Sequence, residues 1–139
     1  MPSGAAMAVP RQTHFLRWMA ESHDFGRSCE MEAALFLERT GWRIVARNYR
    51  FGHREIDLIA ERDGITAFVE VKARRGDRYG HPLVAITGWK RREIEAVARH
   101  WIARHGRPGN TYRFDAIAVT QDPAAARRIE HTPDAWRLG

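Results

Sequence analysis

Cysteine is almost absent. Cys29 stands alone in 139 residues, which excludes an internal disulfide framework and a cysteine-rich zinc site and suits a reducing, cytoplasmic setting. No apolar run approaches the ~20 residues a membrane helix needs, so no membrane partner is expected. The first ten residues lack the charged start and continuous apolar stretch of a signal peptide. Residues 1–22 read as a leader, partly disordered or a short helix, ahead of a single domain over 23–139. The seven histidines (14, 23, 53, 81, 100, 105 and 131) show no ligand spacing on one element. P-loop, nucleophile-elbow and dinucleotide fingerprints are missing, as are repeats and low-complexity tracts.

Acidic residues are also in deficit, at 17 Asp and Glu against 23 Lys and Arg, for a net charge of +6. The excess is concentrated, because residues 72–107 hold ten Lys or Arg and only three Asp or Glu. A basic face serves solubility in many proteins, but a polyanionic partner, nucleic acid, is the better expectation. Hydrophobic content of 44% with 29% charged residues is ordinary for a chain that buries one core.

The spacing predicts a short helix over 13–22 broken at Asp24-Phe25-Gly26, then a helix over 27–40 stopped by Gly41. On the second helix, Met31, Ala34, Leu35 and Glu38 share one stripe, and Glu30, Ala33, Ala34 and Leu37 the next. Glu30 thus sits at the edge of the apolar face; from position alone, a favourable interaction with the helix N-terminus explains it better than a polar site does. Residues 42–50 read as a strand that carries Arg47 and Arg50. A later helix should start at the N-cap Thr87 and run over 88–105, with Ile94, Val97, Ala98, Trp101 and Ile102 as its core face. Lys90 lies in its first turn, where a cation opposes the dipole, which suggests a task such as phosphate binding. Residues 111–120 form a strand that ends buried, and 124–131 an edge strand ending at Thr132-Pro133, with Trp136 packing the tail.

Between these lies a hairpin. Residues 55–61 and 66–72 read as strands joined through Arg62-Asp63-Gly64, since Asp-Gly tolerates the positive φ of tight hairpins. Side chains two apart share a face, so Glu70 and Lys72 project together while Val69 and Val71 point into a core. Asp57 can lie beside them across the hairpin. Two carboxylates able to share a divalent cation, with a lysine to orient water or steady phosphate charge, suit metal-assisted phosphodiester hydrolysis. An exposed cross-strand ion pair is the plainer alternative. The Arg- and Gly-rich stretch over 74–82 should be a loop able to meet a nucleic-acid backbone, or simply a surface loop.

Asp57 followed by Glu70-Val71-Lys72 resembles the PD-(D/E)xK nuclease superfamily. Several further motifs recur in register: Glu30-x-x-Ala33 with Leu37 and Gly41, Arg47-Asn48-Tyr49-Arg50, Glu55-Ile56-Asp57-Leu58-Ile59-Ala60, Tyr79-Gly80-x-Pro82, Lys90 and Arg113-Phe114-Asp115. Together they look like the YraN family of small bacterial proteins, similar in outline to archaeal Holliday-junction resolvases. The resemblance implies an α/β, restriction-endonuclease-like three-layer core, with a central mixed sheet of four to five strands flanked by helices in the order α-β-β-β-α-β. It also implies a catalytic set of Glu30, Asp57, Glu70 and Lys72. Asp57, Glu70 and the Val71 carbonyl would bind Mg²⁺ or Mn²⁺, with Arg47, Arg50, Arg74, Arg75, Lys90 and Arg91 contacting nucleic acid. Cys29 and Arg54 stand where that family usually has glycine.

The expected function is therefore a metal-dependent nuclease acting on DNA, branched or single-stranded, with a homodimer if two strands are cut symmetrically. The alternatives are a non-catalytic nucleic-acid-binding module of the same fold, or an adaptor using the aromatics Tyr79 and Trp89.

Overall fold

A computed structural model describes residues 11–76 and 86–137. In chain order the elements are α1 (Arg11–Arg39), β1 (Arg43–Phe51), β2 (Arg54–Arg62), β3 (Ile65–Arg75), α2 (Gly88–His105), β4 (Thr111–Gln121) and β5 (Arg128–Trp136). The five strands form one mixed sheet in the order β1-β2-β3-β4-β5. β3 and β4 pair in parallel and the other neighbours antiparallel. The parallel pair requires a crossover, and α2 supplies it.

Strand alternation sorts the core into two faces. Leu58, Ala60, Ala67, Val69, Ile117 and Val119 pack with Cys29, Ala33, Ala34 and Leu37 of α1. Ile59, Phe68 and Phe114 pack with Ile94, Val97, Ala98 and Trp101 of α2. The sheet is thus the middle of three layers, as the sequence implied, with β5 added at the edge. Phe68 meets Trp101 edge-on at 5.8 Å, and Phe114 stacks on Trp136 at 4.9 Å, which ties the tail to the core as expected.

The stop of the first helix and the start of the second, both read from sequence, are present. Gly41, at φ 96°, follows α1; the Trp42 N–H donates to the Leu37 carbonyl at 2.9 Å and the Gly41 N–H to that of Glu38 at 3.1 Å, the paired bonds of a Schellman end. Thr87 caps α2 by accepting the Lys90 N–H at 3.2 Å. The hairpin turns on Asp63 and Gly64, at φ 50° and 76°, the positive pair of a type I′ turn.

Four expectations need correction. The loop expected from Arg74 starts later, because β3 runs on to Arg75 paired with β4. Asp24-Phe25-Gly26 does not break a helix, because α1 runs through it for 29 residues. An interior glycine costs a helix only about 1 kcal/mol relative to alanine, too little to stop one whose following turns are packed. Met31 and Leu35 are 62% and 52% exposed, so the stripe containing them is not the core face; Cys29, Ala33, Ala34 and Leu37 form it. The edge strand does not end at Pro133. A bulge opposite Asp115 absorbs Pro133 and Asp134, and pairing resumes at Trp136 against Phe114.

That bulge serves a buried carboxylate. Asp115 accepts from Arg113 Nε at 3.0 Å, from His131 Nε2 at 2.8 Å and from the Asp134 N–H at 2.9 Å. Burial pushes its carboxyl upward, but the bonds from His131, Asp134 and Arg113 outweigh that and hold it below its ordinary value. Among the described residues no helix is long and apolar enough to cross a membrane. The leader residues 1–10 and the Tyr79-Gly80-x-Pro82 motif lie outside the described residues.

Candidate metal centre

The ladder between β2 and β3 runs from Arg62–Ile65 to Leu58–Val69 and stops there. Beyond it the strands part and Asp57 fills the gap, its Oδ2 accepting the Val71 N–H at 2.7 Å. An Asp side chain has taken the place of a main-chain acceptor, which leaves a nearly buried carboxylate, 9% exposed, at the mouth of a split sheet.

Other acids converge on it. Glu55 precedes Asp57 by two residues on β2, and Glu30 reaches in from α1. One carboxylate oxygen from each of Glu30, Glu55 and Asp57 lies within 4.8 Å of the others, a cluster that could hold a metal ion. All three donors are hard oxygens, the set that suits Mg²⁺ or Mn²⁺. Glu70 stands on β3 in step with Phe68, on the α2 face.

The crowding has an electrostatic consequence. Burial first, and the Glu70 charge second, push the Asp57 carboxyl up to about 8; Glu30 and Glu55 add to this, and the Val71 N–H opposes it. Glu70 is also raised, chiefly by burial, although the Lys90 and Lys72 charges work against the shift. A bound cation would relieve this repulsion, so the residues present fit a divalent ion.

The four acid and base residues singled out from sequence are therefore brought together. Lys72, exposed, shares the Glu70 face and its field. Glu30 lies in the middle of the continuous α1, so the helix-dipole explanation for it fails; its carboxylate belongs to the cluster. Val71 contributes its N–H to Asp57. Lys90 Nζ is 3.7 Å from Glu70 Oε1, so a cation placed against the α2 dipole serves here as counter-charge to a half-buried carboxylate.

The remaining basic candidates scatter. Arg50 Nε pairs with Glu55 Oε2 at 3.1 Å, at the cluster. Arg47 is exposed on β1. Arg74 is buried, at 5% exposure. The Arg75 guanidinium lies over Phe25 of α1 at 4.2 Å, and that of Arg91 over Trp136 at 5.1 Å, so neither gathers at the carboxylates. Trp89 is exposed in the first turn of α2.

Two participants escaped the sequence reading. Glu55 was visible as the i−2 neighbour of Asp57, on the same strand face. Asn48, whose amide bonds both Glu30 and Glu55, stood in the Arg47-Asn48-Tyr49-Arg50 motif but offered no chemical role beyond the tolerance of asparagine for left-handed backbone. Arg54, one of the two departures from the family pattern, does not need positive φ and pairs with Glu93 of α2 at 3.3 Å. Cys29, the other, is core, and burial raises its thiol.

Two grooves flank the cluster and share Arg50 and Glu55. One, of about 360 Å³, runs along α1 past His23, Arg27 and Glu30. The other, of about 280 Å³, includes Asp57, Lys90 and Glu93. The centre can therefore be approached from both sides of the sheet end.

The family model described as "Uncharacterised protein family UPF0102" matches residues 29–119. A UPF0102 protein of Symbiobacterium thermophilum is 46% identical over 115 residues, which cover 83% of this chain and 98% of the relative. That of Geobacter sulfurreducens is 46% identical over 107 residues, 76% and 83% of the two chains. That of Chloroherpeton thalassium is 45% identical over 98 residues, 70% and 76% of the two chains. The matched segment contains every residue of the acidic centre.

Proposed function

The chain belongs to the uncharacterised protein family UPF0102, and from the acidic centre within its matched segment we propose that it is a metal-dependent nuclease of PD-(D/E)xK type acting on DNA. The observation that carries this reading is the split between β2 and β3. There a buried Asp57, pushed up to about 8, meets Glu70, Glu30 and Glu55, with Lys72 and Lys90 alongside. A simple ion pair sets one carboxylate against one cation, whereas here four carboxylates meet Arg50, Lys72 and Lys90, and the fourth, Asp57, is held protonated until a further cation lets it ionise.

Asp57 would hold Mg²⁺ or Mn²⁺ together with Glu30 and Glu55, whose carboxylate oxygens lie within 4.8 Å of its own, and Glu70 and the Val71 carbonyl would be the further ligands on β3. When bound, the cation supplies positive charge that acidifies water and offsets charge on the phosphodiester. Lys72, on the Glu70 face, aims the attacking water and steadies the phosphate. Lys90 and Arg50 border the carboxylates and offer donors to flanking phosphates. The net charge of +6 favours a polyanion as partner. Two copies would serve if both strands of a branched substrate are cut.

The test is cleavage of labelled single-stranded, duplex and four-way-junction DNA by wild type and Glu70→Ala, in Mg²⁺, Mn²⁺ and EDTA. Metal-dependent cutting by wild type, lost in a folded Glu70→Ala, is the expected result and names the substrate. Equal cutting by both sinks the assignment. Salt-sensitive binding without cutting would make the protein a nucleic-acid-binding module.

A further inference from the structure

Asn48 lies within β1 between Arg47, opposite Leu58, and Tyr49, opposite Ile56. Its φ is 47°, the left-handed region, inside a strand whose other residues are extended. Its side chain is exposed, and its Nδ2 donates to Glu30 Oε1 at 3.0 Å and to Glu55 Oε1 at 3.2 Å. These two carboxylates come from different layers, one from α1 and one from the sheet. Repulsion would drive them apart, and the Asn48 amide draws them together.

The chemistry of the bridge matters. A lysine or arginine there would neutralise the pair and compete with any cation. A neutral amide orients both carboxylates without adding a second cation to Arg50, which already pairs with the other oxygen of Glu55 at 3.1 Å. Exposed hydrogen bonds of this kind add little to stability, so strained backbone spent on them points to function.

We infer that Asn48 is a positioning residue of the cation centre, fixing Glu30 against Glu55 and Asp57 so that the three carboxylates present one pre-arranged oxygen set. The inference rests on the reading of this centre as a cation site. It adds a device for building the site that does not itself touch the ion, comparable to the outer-shell partners that orient metal ligands elsewhere.

The test uses the full chain, stripped with EDTA, and two variants. Mn²⁺ binding is followed by the spin-resonance signal of the free ion, and thermal unfolding is recorded in parallel. Asn48→Gly removes the amide while accepting φ 47° without strain. Asn48→Ala removes the amide and keeps the strain. The expected result is that both bind Mn²⁺ about tenfold more weakly than wild type, and to the same extent, although only Asn48→Ala melts lower. A merely structural Asn48 would give a different pattern, with Asn48→Gly at wild-type affinity or affinity falling in step with melting temperature; either result overturns the inference. Asp57→Asn separates the two levels of the argument. If wild type binds no Mn²⁺, or Asp57→Asn binds as well as wild type, the cation reading fails and this inference with it. If Asp57→Asn loses Mn²⁺ while Asn48→Gly keeps it, only the role of Asn48 is refuted.

Discussion

Replacing Asp57 by asparagine should stabilise the cation-free protein, and increasingly so as pH rises. Burial first, then the charges of Glu70, Glu30 and Glu55, carry the Asp57 carboxyl from the ordinary 3.8 up to about 8, with the Val71 N–H opposing them. Within that window the native protein holds a proton that the unfolded chain has released. Stability therefore declines as pH rises from about 3.8 to about 8, and levels off above that. At about 1.4 kcal/mol per pH unit, the full window corresponds to roughly 5–6 kcal/mol. Asp57 and Glu70 titrate as a pair, and the flanking groove admits water, so about half of this, ~2–3 kcal/mol, belongs to the Asp57 charge.

Asparagine preserves the shape, keeps an oxygen for the Val71 N–H and removes the charge. For a chain of this size 1 kcal/mol moves the melting temperature by roughly 3–4 °C. Asp57→Asn should then melt ~8–10 °C above wild type near pH 8 in EDTA, and the gap should close towards pH 4. Circular-dichroism melts of both proteins across that range are the assay. A gap that is flat with pH, or a variant less stable than wild type near pH 8, would refute the crowding argument. Millimolar Mn²⁺ should reverse the order, because binding to the native state stabilises wild type alone.

Asp115→Asn leaves the Arg113 and His131 donors without an anionic acceptor and should cost about 3 kcal/mol near neutrality in urea unfolding. Because the Asp115 carboxyl is held low in the native protein, this contribution is present above the ordinary value of 3.8 and lost as pH falls below it. The two stability curves should converge in acid, and parallel curves would refute the network. Thr87→Ala removes the α2 cap and should lower stability by ~1 kcal/mol, seen as a lower urea midpoint at unchanged slope. If Arg47 contacts a phosphate, Arg47→Ala should reduce the slope of log binding constant against log salt by about 0.9, and an unchanged slope removes it from the DNA track.

What could be read from the sequence follows the range of the interactions concerned. Local rules placed the elements: Gly41 ends α1, Thr87 starts α2, and Asp63-Gly64 turns the hairpin, each because a few neighbouring atoms decide the matter. Strand alternation likewise put Glu70 and Lys72 on one face and Val69 and Val71 on the other. The same rules failed where packing outweighed them. Gly26 reads as a breaker, yet the helix passes through it; Pro133 reads as a stop, yet a bulge built around Asp115 carries β5 past it.

The centre divides along the same line. Asp57, Glu70 and Lys72 were legible because one hairpin carries them. Glu30 could be placed only through the resemblance, since its own position pointed to a helix terminus that turns out to lie nineteen residues away, at Arg11. The basic residues show the limit most clearly. Charge counting treats Arg50, Arg75, Lys90 and Arg91 alike, but in the fold two of them balance acids of the centre and two lie over aromatic rings. A surplus of cations in sequence is thus an upper bound on what a polyanion can meet. Arg50 and Lys90 can serve a phosphate only by loosening their hold on Glu55 and Glu70, so DNA binding and cation binding at this centre should be energetically coupled. Measured together, Mn²⁺ should bind more tightly in the presence of a short duplex than in its absence, and equal affinities would show that the two sites are independent.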